Sequence, residues 1–171
     1  TPDHAAALSN LGELAWRAGQ RDVATQSWER ALKANGKLFA AHVNLAIAAH
    51  DQLRALPDKD AKRKQLTADA ELHASSALAV DADPLPLVVL AALAADGADK
   101  RSRELARGYL DQAQRINDKS AAEFAARSVI AARRGEWTMA FAMAERAVTL
   151  EPRSDEAQRV AGLVGVRVGK L

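Results

Sequence analysis

The sequence predicts an all-α protein assembled from repeated helix pairs. Three observations predict it. First, like residues recur at a fixed interval of 34: Asn10 and Asn44, Leu11 and Leu45, Leu90 and Phe124, Ala106 and Ala140, Leu110 and Ala144, Ala113 and Ala147. A period of that size is one supersecondary unit copied along the chain. Second, 40 of the 171 residues are alanine, while aromatic residues make up only 4%. A core so poor in bulk fills space only where backbones approach closely, as between tightly packed helices, and alanine is the strongest helix former. Third, alternation of bulky β-branched residues is missing, so no sheet is expected.

The elements follow in order. Asp3 is placed to cap a first helix that runs to about Ala18, where Gly19 stops it. Its apolar stripe is Leu8, Leu11, Leu14 and Ala15. A second helix runs from Asp22 to about Asn35 and carries Val23, Ala24, Ser27, Trp28, Ala31 and Leu32. The loop between them is short, so the two are antiparallel neighbours. A third helix holds Asn44, Leu45, Ala46 and Ala49, and helical spacing continues to Leu56 before Pro57-Asp58 makes a turn. The next helix shows Ala70, Ala74, Ala77 and Leu78. From Ala24 to Ala70 is 46 residues, as from Ala31 to Ala77, which is twelve more than the period. The extra residues therefore lie between Ala49 and Ala70, and two lengthened helices forming a projecting hairpin are the simplest arrangement. Its tip, 53–66, carries Arg54, Lys59, Lys62, Arg63 and Lys64 against Asp58 and Asp60, a net charge of +3 suited to steering an acidic partner. Two further residues near Asp83-Pro84 lengthen the next junction. A fifth helix ends early, at Asp96-Gly97, and a lone final helix is expected from Ser154 to about Val168.

The segment Leu8-x-x-Leu11-Gly12-x-x-Ala15, then Gly19, then Ala24-x-x-x-Trp28-x-x-Ala31-Leu32, resembles a tetratricopeptide repeat. The family pattern has small residues where Gly12, Ala24 and Ala31 stand, because the paired helices touch there. Gly36 sits where the family often has proline. Phe124, Ala131, Gly135, Trp137, Ala140, Ala144, Ala147 and Pro152 fall in the same register. Leu90, Leu93, Ala94, Ala106, Leu110 and Ala113 do so in the unit before, and Ala161 and Gly162 take small positions in the last helix. Arg127 and Ser128 depart from the pattern, standing where a leucine and a glycine are common. The resemblance implies a right-handed superhelix of antiparallel helix pairs, a single array with units 5–38, 39–86 with its twelve-residue insertion, 87–120 and 121–154, and a terminal helix at 155–168.

The chemistry of the chain excludes several function classes. There is no cysteine, so disulfides and thiolate chemistry are out. His4, His42, His50 and His73 are the only histidines; no spacing among them suits a metal, and they are expected to be exposed or groove-lining. No nucleophile elbow or phosphate loop occurs, and Gly162, Gly165 and Gly169 fit close helix packing and a fraying end instead. No catalytic residue and no cofactor is expected. The basic clusters Lys62-Arg63-Lys64, Arg101 with Arg103 and Arg107, and Arg133-Arg134 lack interleaved aromatics, so nucleic acid is not an expected partner. A net charge of +2 demands no acidic partner, and no apolar run reaches the ~18 residues that membrane insertion needs. The chain opens on Thr1, which suggests a trimmed or processed piece. Arg outnumbers Lys by 16 to 8, which with the alanine points to a GC-rich bacterial gene and leaves cytoplasm and periplasm both open.

By resemblance, the first helix of each pair lines a concave groove. The residues pointing there recur at i, i+4, i+7: Ser9, Glu13 and Trp16 with Arg17; Val43, Ile47 and His50 with Asp51; Ala91 and Ala95; Ala125, Val129 and Ala132 with Arg133; Arg159, Leu163 and Val166 with Arg167. Asn10 and Asn44 match a family asparagine that can hydrogen-bond an extended backbone. An apolar middle between polar ends suits a peptide or amphipathic helix of another protein. The carboxylate clamp of chaperone-adaptor members is expected to be absent: Ser9, Glu13, Val88 and Ala92 occupy its places and only Asn44 suits it. The expected function is a noncatalytic protein-interaction scaffold. The alternative is a structural or oligomerisation domain whose groove or terminal helix is filled by its own chain or a second copy. Val160, Val164 and Val168 form a stripe on the last helix with only Arg167 and Lys170 nearby. That stripe is expected to lie open unless further repeats, a partner or self-association covers it.

Overall fold

The computed structural model describes residues 2–97, 99–117 and 119–169, with Pro2 and Asp3 described through their backbone alone. The Asp3 cap and the Lys170 flank of the last helix therefore lie outside the described residues. Every regular element among the described residues is an α-helix. The chain divides after Ala82 into two compact units. The first holds α1 (Pro2–Arg17), α2 (Arg21–Ala34), α3 (Phe39–Ala55) and α4 (Lys62–Val80). The second holds α5 (Pro84–Ala95), α6 (Lys100–Ile116), α7 (Ala121–Arg133), α8 (Trp137–Leu150) and α9 (Asp155–Val168).

In the first unit, α1 packs on α2 through small residues. Ala24 and Ala31 are fully buried, and Gly12 faces the Trp28 indole so closely that a Cβ built there would sit 2.6 Å from the ring's Cδ1. The indole N–H has no water to bond at 2% exposure, so it donates to the Ser9 carbonyl at 3.1 Å. Leu8 and Ala15 join this core, but Leu11 and Leu14 do not: they are 47% and 63% exposed, because the buried face of α1 runs through Ala5, Leu8, Gly12 and Ala15. Gly19 ends α1 at φ 76°, where Gln20 N–H reaches back to the Ala15 carbonyl at 2.9 Å. Gly135 ends α7 in the same way, with Glu136 N–H on the Ala131 carbonyl. The left-handed turn favours glycine at both places.

In the second pair, α3 and α4 have 17 and 19 residues, against 16 and 14 in α1 and α2. Arg63 does not project from the hairpin tip. Its guanidinium donates to the Leu53 and Leu56 carbonyls at 2.8 and 3.1 Å, satisfying the open end of α3. Deeper in the pair, His42 is buried rather than groove-lining. Its Nε2 lies 3.1 Å from the Gly36 carbonyl and its Nδ1 lies 3.0 Å from Nδ1 of His73 on α4. A carbonyl only accepts, so His42 Nε2 carries a proton there. With a neutral His42, its Nδ1 then accepts and His73 donates. Two imidazolium ions could not share this bond.

In the second unit, Asp83 caps α5 through the Leu85 N–H, with Pro84 in the first turn, so this helix opens three residues before the expected Leu87. Asp99, Ser120 and Ser154 cap α6, α7 and α9. The two departures at 127 and 128 prove structural. Ser128 is fully buried and its hydroxyl donates to the Ala140 carbonyl at 2.7 Å, crossing to α8 at the point where the family places glycine. Arg127 pairs with the fully buried Glu123 and reaches Asp111 at 3.3 Å and Gln114 at 3.2 Å, tying α7 to α6. Oε2 of Glu123 has no hydrogen-bond partner.

The terminal helix corrects the expected open valine stripe. Val160 and Val164 are 1% and 4% exposed, packed with Ala125, Ala140 and Ala144 of α7 and α8. The last helix docks as a first helix does, against the preceding pair, so its i, i+4 stripe faces inward; the open apolar residues are Leu163 and Val166. Gly162 is not a close-packing site either, since nothing lies within 4 Å of a Cβ built there, whereas Gly169 closes the helix at φ 69°. No described helix is long and apolar enough to cross a membrane.

This packing makes the stability of the chain testable at three points. Gly12→Ala gains helix propensity but drives a methyl into a buried indole, and is expected to cost about 1–2 kcal/mol net in chemical denaturation. Arg127→Leu strands the Glu123 carboxylate and is expected to cost about 3 kcal/mol, most of it recovered in the double variant Glu123→Leu/Arg127→Leu; a double variant as unstable as the single one contradicts this account. The third concerns pH. Burial and the neighbouring His42 hold His73 below the ordinary histidine value, against the opposing pull of Asp69 and Glu29. The folded state then binds fewer protons than the unfolded one below pH about 6.5, so stability is complete above that pH and falls as acid is added. Denaturation midpoints measured from pH about 7.5 to about 5.5 should fall, and His73→Gln should flatten the slope.

Candidate functional site

The first helices form a layer in each unit. In the first unit α1 touches α3, and in the second α7 lies between α5 and α9 and touches both. Every expected groove residue sits on one of these five helices, but they do not share an environment. Ser9, Val43, Ala91 and Ala125 are at most 5% exposed and belong to the core, so they cannot meet a partner. The reason is the number of neighbours. A first helix packs on its own partner and on the helices of adjoining pairs, so a single-face wheel underestimates its burial. In α3 the buried set runs almost round the helix, from Ala41, His42 and Val43 to Leu45, Ala46, Ala48 and Ala49.

Trp16 is half-buried and already engaged. Its ring lies 5.6 Å from that of Trp28, and the Arg21 guanidinium stacks over it at 3.5 Å. Asn44, Ile47, His50, Ala95 and Val129 are half-buried. Asn10, Glu13, Arg17, Arg133, Arg159 and Leu163 are open. Among the open residues the charges are mostly paired: Glu13 with Arg17, Arg133 with Asp96, and Arg159 with Glu156 at 2.6 Å. Of the expected groove residues, the open apolar ones are Leu163 and Val166 of α9, 64% and 69% exposed; outside that set, Leu11 and Leu14 of α1 are open as well. No group of three or more candidate metal ligands comes together among the described residues.

Two associations leave no trace in the sequence pattern. The His42–His73 pair joins residues 31 apart that match no period or ligand spacing. The basic clusters of α6 and α7 are separate charged faces as far as the sequence goes, yet Arg103, Arg107 and Arg134 line adjoining depressions. Only the packing of α6 against α7 brings them together.

No protein-family model and no curated protein matches the sequence. Solved structures do resemble it. TTC0263, a thermophilic TPR protein of Thermus thermophilus, superposes with a TM-score of 0.76 at 24% identity, over 97% of this chain and 84% of that one. The MamA protein gives 0.58 at 16% identity, over 99% and 85% of the two chains. YrrB, described as a TPR protein with an unusual peptide-binding site, gives 0.54 at 15% identity, over 95% and 77%. At these identities the likeness speaks to fold, and the fold of this chain is that of the tetratricopeptide repeat proteins.

Proposed function

We propose that this chain is a noncatalytic scaffold that binds a peptide or helix of another protein along the first-helix layer of its second unit. One observation carries the reading. Half-buried Ala95 and Val129 and open Leu163 lie on α5, α7 and α9, which touch in that order, with Arg133 and Arg159 beside them. The charges of these two arginines are paired within the chain, so the strip offers apolar contact flanked by polar rims, the usual anatomy of a protein-binding patch. YrrB, whose fold is similar, is described as having a peptide-binding site, and such a role fits the absence of any catalytic constellation from the sequence pattern. The first unit contributes a different surface, polar at Asn10, Glu13 and Arg17, with Asn44 and Ile47 half-buried on α3.

Leu163→Glu tests the reading without disturbing the core, since the side chain is 64% exposed. Pull-down of a partner by the immobilised protein should fall by about tenfold with the helical spectrum unchanged, as expected for loss of a central apolar contact. Unchanged capture places the site elsewhere. A dimer of the parent protein that the same substitution converts to monomer in sedimentation would instead assign the strip to a second copy.

A further inference from the structure

The second-helix side of the second unit carries a feature that the scaffold reading does not use. Among the described residues, no Cα of α6 comes within 8 Å of one in α8, and both helices pack against α7. Three adjoining depressions open there, of about 370, 510 and 310 Å³, all of them lined by Arg134 and Glu136. They run from the space between α6 and α8 round the C-terminal ends of α5 and α7. The floor is apolar: Leu110 and Ile130 beneath, and Met139 and Met143 on the α8 wall. The rim is basic. Lys100, Arg103, Arg107, Arg127, Arg133 and Arg134 line the three depressions against only Asp96, Glu104 and Glu136, six basic side chains to three acidic.

Internal pairing uses part of this charge. Arg127 is held by Glu123 and Asp111, Arg133 by Asp96, and Lys100 lies 3.6 Å from Glu104. Two arginines remain available. Arg107 keeps only a 3.9 Å approach to Asp111 with its side chain 81% exposed, and Arg134 has no ion-pair partner among the described residues. Arg107, from α6, and Arg134, at the C-terminal end of α7, line the same depression.

We propose that this trough binds an acidic peptide segment that carries one large aliphatic side chain. The guanidinium forks of Arg107 and Arg134 match carboxylates in geometry and charge. Leu110, Ile130 and the two methionines offer an apolar seat in the same depression, and methionine reshapes readily around a guest. No aromatic ring lines any of the three depressions, so the stacking that single-stranded nucleic acid requires is missing. Glu136 is the one acid of the shared lining and sets an electrostatic penalty on any anionic guest. The trough borders the first-helix strip, sharing Ala95 and Arg133 with it, but Arg107 and Arg134, on which the proposal rests, lie outside the strip.

The test uses fluorescence anisotropy with a labelled synthetic peptide of Asp and Glu residues around a single Leu. It should bind the parent protein, with affinity falling as salt rises from about 0.05 to 0.5 M. Arg107→Ser/Arg134→Ser should weaken it by about tenfold, and Glu136→Gln should tighten it. Both arginines are exposed, so the helical spectrum should not change. The same peptide with Leu replaced by Ser should bind several-fold more weakly. No binding, equal binding by the arginine double variant, equal binding of the Ser peptide, or tighter binding of an oligothymidine of the same charge would each overturn the proposal.

Discussion

Everything in this fold depends on alanine meeting small residues across each helix pair. Ala24 and Ala31 on α2, Ala70, Ala74 and Ala77 on α4, Ala106 and Ala113 on α6, and Ala140, Ala144 and Ala147 on α8 are all fully buried. A methyl is the largest group that lets two helix backbones come this close. The proximity multiplies weak dispersion contacts along the whole seam. It also makes the seam intolerant: each added methylene must displace a backbone rather than a side chain. The bulkiest residue admitted, Trp28, is accommodated because Gly12 opposite it has no side chain at all.

An alanine seam gives closeness but little register, since one methyl is much like the next. Directional polar contacts supply the register. The Trp28 indole on the Ser9 carbonyl aligns α2 with α1, and the His42–His73 pair aligns α4 with α3. In the second unit the Ser128 hydroxyl on the Ala140 carbonyl aligns α8 with α7, and Arg127 aligns α7 with α6. Each is buried or partly buried, and each would leave an unsatisfied group if the helices slid by one turn, a penalty of about 1–3 kcal/mol apiece. Polar groups in the interior here specify position, a use with precedent in coiled coils.

The division between what the sequence disclosed and what it hid follows from this. The seam is periodic, so the helix pairs, the glycine stops at Gly19 and Gly135, and the twelve additional residues between Ala49 and Ala70 are all legible by counting. The register contacts are not periodic. His42 and His73 lie 31 apart, and Arg127 and Asp111 lie 16 apart, intervals that match no repeat. Burial of Ser9, Val43, Ala91 and Ala125 on the first helices is hidden for a related reason. A helical wheel sees one neighbour, while α7 is touched by α5, α6, α8 and α9. The terminal valines mislead in the same direction, because α9 takes its burial from the pair before it rather than from a helix to come.

The same logic locates function. Positions on the seam are constrained by contact and cannot be spared for a ligand. Positions facing solvent carry no such constraint, so whatever distinguishes this chain from others of its fold must be written there, in residues that do not follow the repeat. Arg107 illustrates the point: 34 residues before it stands His73, and 34 after it Phe141, so its charge belongs to this unit alone. Arg134 has Val168 one period after it, and Lys100 one period before. That one basic counterpart also lies on the rim of the trough, so it adds charge to the same opening rather than building a second one. Because the backbones of α6 and α8 stand apart among the described residues, side chains from three consecutive helices can share one opening without disturbing any seam. A repeat protein can therefore alter its recognition surface while its core stays fixed, and the less periodic residues of the second unit are where its chemistry is most concentrated.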